Sequence, residues 1–131
     1  MKPLTMGRIN SPSDPPDAVR VLVDRLWPRG VAKVSAPWAL WAQGVSPTTE
    51  LRRWYGHAAE RYEEFRGRYW AELEASLPNA DMDKVMALWR EQPVMLLTAS
   101  RELDQSHVPV VREFLLRLAA LDSSSGGDGD G

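Results

Sequence analysis

Two spacings of hydrophobic residues along the chain predict a mixed fold. Short segments rich in apolar, partly β-branched residues predict three strands, of which the first is weakened by Gly7. These predicted strands are 4–9, 18–24 and 94–99. Elsewhere, apolar residues recur every three or four positions, as on one face of a helix. The predicted helices are 47–55, 58–77, 82–91 and 107–121.

The third apolar run, VMLLTA at 94–99, has no polar alternation, which is typical of a strand buried on both faces of a parallel sheet. The long, mostly helical connection before it suits a parallel crossover. The first two strands are compatible with a hairpin or with separate places in one sheet. We therefore expect an α/β fold, a small layered domain with a mostly parallel sheet flanked by helices. A single domain should span 1–121, followed by a flexible Ser/Gly/Asp tail at 122–131.

Polar residues directly follow the second predicted strand. Asp24, Arg25, Trp27 and Arg29 come after its apolar run, and another polar loop, 100–106, follows the third strand. The carboxyl ends of parallel strands meet at one edge of a sheet, where open α/β sheets bind ligands. The sequence therefore predicts a site at this edge.

Arginine forks suit phosphate or carboxylate groups, so we expect Arg25 and Arg29 to bind an anion. Trp27 is a candidate stacking wall for the ligand, although core packing beneath the proline turn is the favoured explanation. Asp24 is a candidate general base. The alternative is a structural turn in which Asp24 pairs with an arginine and caps backbone donors.

Further candidates lie where other predicted elements end or begin. Arg53 and His57 close the helix 47–55, and His107 opens the last helix. Together with Asp24, the two histidines are candidates for proton transfer, and Arg53 is a candidate ligand contact. Two histidines and one carboxylate also suit iron or zinc, so a mononuclear metal protein is an alternative. Solvated arginines and capping histidines are the structural alternative.

Composition removes several classes of function. The chain has no Cys, which excludes disulfides and thiolate chemistry. No G-x-G-x-x-G, Walker A or G-x-S-x-G motif is present, so neither an ordinary dinucleotide or P-loop site nor a nucleophilic Ser100 or Thr98 is expected. No apolar run approaches the roughly 20 residues that span a membrane, and the N-terminal segment lacks a signal-peptide pattern. A cytoplasmic protein with no membrane partner is expected.

Charge is uneven along the chain. The net charge is −2, yet residues 1–57 hold eight basic and four acidic side chains. A basic half favours anionic partners, and a nucleic-acid-associated module that uses this half is therefore an alternative function.

Four features together resemble the bacterial YeaO-like family, which is labelled as a domain of unknown function. They are the run VLVDRLWPRGV, the run SPTTELRRWYGH, the pair Phe65 and Tyr69, and the apolar strand that leads to a loop with His107. The resemblance covers roughly 20–118 and implies a compact α/β domain without implying a reaction. Family members often place Asn after the histidine that matches His107. Here Val108 stands there, and any ligand contact made by that Asn is lost.

These observations predict a domain that binds a small anionic, phosphate- or nucleotide-like ligand at the C-terminal edge of the sheet. Asp24, His57 and His107 are available there for proton transfer, should the domain act on that ligand. No cofactor is implied by any motif.

Overall fold

The computed structural model describes the backbone of residues 2–130 and the side chains of residues 2–122. The strands are β1 (Leu4–Arg8), β2 (Val19–Leu22), β3 (Leu40–Trp41) and β4 (Val94–Thr98). The helices are α1 (Thr49–Tyr55), α2 (Tyr62–Ala75), α3 (Ala80–Glu91) and α4 (Val108–Asp130). Side chains beyond Asp122 lie outside the described residues, so the flexible tail at 122–131 stays a prediction.

All four strands are parallel and form one sheet in the order β1-β4-β2-β3. The predicted α/β fold with a parallel sheet is confirmed. A hairpin between the first two strands is excluded, because β4 lies between them and pairs with both. Every residue of β4 is buried, as its unbroken apolar run predicts.

One face of the sheet, which we call the helical face, carries all four helices. Val21, Val23 and Leu96 point into it from the strands and pack against the apolar stripes of the helices. The stripe of α2 includes Phe65 and Tyr69, as the spacing predicts. Leu77, which the pattern assigns to the same stripe, lies beyond the end of α2 and is exposed.

The opposite face, which we call the loop face, has no helix packed against it among the described residues. Leu22, Met95 and Leu97 point into it and are covered by Trp38 and neighbouring residues of the segment 26–39. The predicted helices therefore flank the parallel sheet, all on one face, and irregular chain covers the other face. The physical reason is that the segment between β2 and β3 contains prolines and a glycine, which interrupt helices.

The ends of α1 place two polar segments beside the sheet edge. The helix is capped by Thr48, whose hydroxyl accepts a hydrogen bond from the Leu51 amide at 3.2 Å. It ends at Gly56, whose left-handed backbone (φ 52°, ψ 28°) favours glycine. The chain turns sharply there and brings His57 back toward the sheet edge.

Candidate ligand-binding cleft

A cleft of about 640 Å³ lies at the C-terminal edge of the sheet. Its walls come from the segment after β2, the C-terminal end of α1 and the loop after β4. Asp24, Arg29, His57 and His107, which are far apart in the sequence, all line it. The other charged residues of its lining are Arg25, Arg52, Arg101 and Glu102.

Asp24 joins the ends of the two central strands. Its Oδ2 accepts a hydrogen bond from the Ala99 amide at 2.8 Å. Its Oδ1 has no hydrogen-bond partner and lies 3.3 Å from His107 Nε2. Burial raises the pKa of Asp24, but the adjacent His107 ring, the Ala99 amide and the Thr98 hydroxyl outweigh burial and hold that pKa below its ordinary value. Asp24 is therefore ionised at neutral pH and fixes the spacing of the two strand ends.

His107 also bonds to the backbone of β2. Its Nε2 lies 2.8 Å from the Val23 carbonyl oxygen. A carbonyl oxygen can only accept a hydrogen bond, so Nε2 carries the ring proton and donates a hydrogen bond to Val23. The ring packs edge-on against Tyr69, with the ring centroids 6.0 Å apart, and only 11% of the side chain is exposed. The candidate acid or base is thus bonded through Nε2 to the main chain.

Two tyrosine hydroxyls hold the loop that leads to His107. Tyr55 donates to the Gln105 carbonyl at 2.7 Å, and Tyr62 donates to the Ser106 carbonyl at 2.9 Å. Burial raises the pKa of both phenols, that of Tyr62 to about 12. Both are therefore neutral donors at physiological pH and restrain the loop wall of the cleft.

Arg25 is fixed in place by backbone carbonyls. Its Nε donates to the Pro47 carbonyl at 2.8 Å and its Nη2 to the Ser46 carbonyl at 3.2 Å. Its own carbonyl accepts from the Gln43 side chain at 2.8 Å. Within residues 2–122 no carboxylate lies within ion-pair distance of this half-buried guanidinium. Its remaining N–H groups are available on a rigid side chain in the cleft wall.

Trp27 has both of the roles considered from the sequence. It lines the cleft, and it also packs edge-on against Trp38 and Trp41, with centroid distances of 4.9 and 5.3 Å. Its indole N–H donates to the Val31 carbonyl at 2.6 Å. The loop face thus supports one wall of the cleft.

Of two adjacent arginines on α1, one lines the cleft and the other does not. Arg52 lines the cleft, whereas Arg53 does not. The prediction of Arg53 as a ligand contact is therefore not supported by its position, because consecutive residues on a helix point about 100° apart. His57 follows at the rim, exposed, with a left-handed backbone (φ 59°) that is uncommon outside glycine.

Sequence reasoning missed Arg52, Arg101 and Glu102 as lining residues. The polar loop 100–106 was the signal for the last two, but a loop without periodicity does not show which side chains turn inward. Val108, which departs from the family pattern, is fully buried in the helical face and does not line the cleft.

The described residues do not bring together the two histidines and one carboxylate that the alternative of a mononuclear metal site requires. Asp24 and His107 touch, but within the described part of the chain no group of three His, Asp or Glu side chains comes close enough to hold a metal ion. His57 lies on the rim, and His107 Nε2 is bonded to a carbonyl.

Fold and cleft together define a small α/β domain with an all-parallel sheet and an arginine-rich cleft at its C-terminal edge. The family model described as "Inactive DUF488-N3 subclade" matches residues 3–129. The chain belongs to this YeaO-like DUF488 family.

Two relatives illustrate the similarity. An uncharacterized protein of Mycobacterium tuberculosis strain H37Rv is 39% identical over 110 residues, which is 84% of this chain and 91% of the relative. The uncharacterized protein YeaO of Escherichia coli K12 is 32% identical over 111 residues, which is 85% of this chain and 95% of the relative. No solved structure gives a significant match. Among the described residues, no helix combines the length and apolar character needed to cross a membrane.

Proposed function

We propose that this chain binds a small anionic ligand of the phosphate or nucleotide type in the cleft at the sheet edge. The observation that carries the proposal is the excess of guanidinium groups. Four arginines line the cleft against two carboxylates, and none of the four forms an ion pair within residues 2–122. Unpaired cations on one concave surface attract an anion and can hydrogen-bond it in bidentate fashion.

Arg25 is the anchor of the proposed site. A long side chain normally loses rotamer freedom when it binds a ligand, but two backbone carbonyls already hold this one. Pre-organisation of this kind favours binding because the entropy of ordering has been met in the free protein.

The cleft is larger than one phosphate group requires. A volume of about 640 Å³ is within the range of about 300–1,000 Å³ for small-molecule pockets. Trp27 and Leu26 add apolar surface beside the arginines. These features favour an anionic group attached to an organic body.

We favour binding over catalysis. Asp24 Oδ2 and His107 Nε2 both hydrogen-bond the main chain, where they fix the cleft walls. The description of the matching family model, which calls the subclade inactive, agrees with a binding role. Asp24 and His107 are then positioning residues, and His57 at the rim is a ligand contact.

The test uses a matched pair of neighbouring arginines. Binding of adenosine monophosphate and of inorganic phosphate is measured by isothermal titration calorimetry. We expect Arg52→Ala to weaken adenosine monophosphate binding about tenfold, the effect of one lost charge-assisted contact. Arg53→Ala, which removes the same charge from the next position, should change it little.

Equal effects of the two variants, or no binding of either anion to the folded wild type, would contradict the proposal. The same protein is titrated with short DNA at two salt concentrations. DNA binding that weakens steeply with salt, with no saturable binding of the small anions, would favour the nucleic-acid alternative instead.

A further inference from the structure

Arg20 occupies an unusual place for a charged residue. It lies on β2, a strand hydrogen-bonded on both sides, and alternation along the strand puts its side chain on the loop face with Leu22. Strands of parallel sheets are usually apolar on both faces. Arg20 is half-buried, and no carboxylate in residues 2–122 lies within ion-pair distance of it.

The guanidinium of Arg20 faces a second cavity of about 530 Å³. This cavity shares no lining residue with the cleft at the sheet edge. Apolar groups of Ile9, Val31 and Trp38 form part of its wall. Polar side chains complete it, namely Asn10, Ser11 and Ser35.

One side-chain hydrogen bond restrains the arginine that lines this cavity. Arg20 Nε donates to Ser13 Oγ at 2.7 Å. The two Nη groups make no hydrogen bond to any described residue, so the end of the fork remains available. Two parallel N–H groups match the two oxygens of a carboxylate.

We infer that this cavity is a second binding site, distinct from the cleft, that takes a small organic carboxylate with an apolar body. The single cation matches a single negative charge. The apolar wall around Trp38 suits a ring or hydrocarbon body, and the hydroxyl and amide groups supply further hydrogen bonds. A half-buried guanidinium without a carboxylate partner has free N–H donors that a bound carboxylate can accept from.

The experiment measures benzoate binding to the full chain by calorimetry, with benzamide as the uncharged ligand of the same shape. We expect wild type to bind benzoate and to bind benzamide at least about tenfold more weakly, because the charge-assisted pair is absent. Arg20→Gln should weaken benzoate binding by about the same factor. Arg52→Ala should leave it unchanged, which separates this site from the cleft.

Circular dichroism establishes whether Arg20→Gln is folded. If it is not, Ser35→Trp replaces it, because Ser35 is exposed and lines the cavity, so that a large side chain there should compete with the ligand for space. This variant should abolish benzoate binding. The inference is overturned by equal affinity for benzoate and benzamide, by no benzoate binding to wild type, or by binding that Arg52→Ala weakens while the cavity variants do not.

Discussion

The two faces of the sheet are buried by different means. On the helical face, side chains such as Phe65 and Trp89 project from regular helices and are almost completely buried. On the loop face, Trp27 and Trp38 lie on irregular backbone and Trp41 lies on the two-residue strand β3. The indole N–H groups of Trp27 and Trp41 donate to carbonyls of nearby loops. The core on the helical face therefore consists of apolar side chains that recur at helical spacing. The core on the loop face depends on a few large side chains, two of which hydrogen-bond to the main chain. Both cavities border the segment that covers the loop face.

The largest expected effect compares one aromatic residue from each face. We expect Phe65→Ala to lower the free energy of unfolding by about 3–5 kcal/mol, because the helices around it are fixed and a cavity remains. Trp38→Ala should cost less, about 2 kcal/mol, because the irregular segment 26–39 can collapse into the space. Urea denaturation of both variants measures the difference. A larger loss for Trp38→Ala would show that the loop face is the more rigid of the two.

The next largest effect concerns Asp24, which hydrogen-bonds to the loop after β4 and to a tryptophan of the loop face. Its carboxylate accepts from Ala99, and its carbonyl accepts from the Trp41 indole at 2.7 Å. The folded-state pKa of Asp24 lies below its ordinary value, so its stabilising contribution is complete above about pH 4 and is lost as the pH falls through the folded-state pKa.

We therefore expect Asp24→Asn to be less stable than wild type at pH 7, by about 1 kcal/mol. This gap should narrow as the pH is lowered to about 3, where the Asp24 carboxyl is largely protonated in the unfolded chain. Thermal or urea unfolding at the two pH values measures it. If the difference in the free energy of unfolding stays constant or widens on acidification, the charge of Asp24 does not stabilise the fold.

The smallest expected change in the free energy of unfolding is at the outer surface of the segment 26–39, which covers the loop face. Val34 is 99% exposed, so Val34→Ser should change the free energy of unfolding by less than about 0.5 kcal/mol. A loss of more than 1 kcal/mol in the same urea assay would mean that this surface is covered in solution by something other than the described residues.

The same contrast explains what the sequence could predict. The stripe of α2 has a helical period and the run of β4 is continuously apolar; both patterns indicate burial, and both elements are found. The segment 26–39 has no period, so its role as the cover of a whole sheet face was not predictable. The edge of the sheet as the place of a site followed from the strand ends alone.

Individual site contacts were harder to predict. The convergence of Asp24 and His107 was expected from the parallel strands, but their hydrogen bonds to the backbone were not. Which of two adjacent arginines faces the cleft depends on the rotation of α1. That rotation is set by tertiary packing of Leu51 and Tyr55, which local sequence does not encode.

The strand order also has a consequence for how the chain folds. β1 pairs with β4 alone, and β2 is joined to β1 only through β4. The N-terminal strand therefore has no partner until a segment some 90 residues later has arrived, and such distant pairings fold slowly because the intervening loop must close first. During synthesis, β1 has no strand to pair with until residues 94–98 have been made. The Asp24–Ala99 bond can form only when β4 enters the sheet, so the cleft is completed in the same late step as the fold.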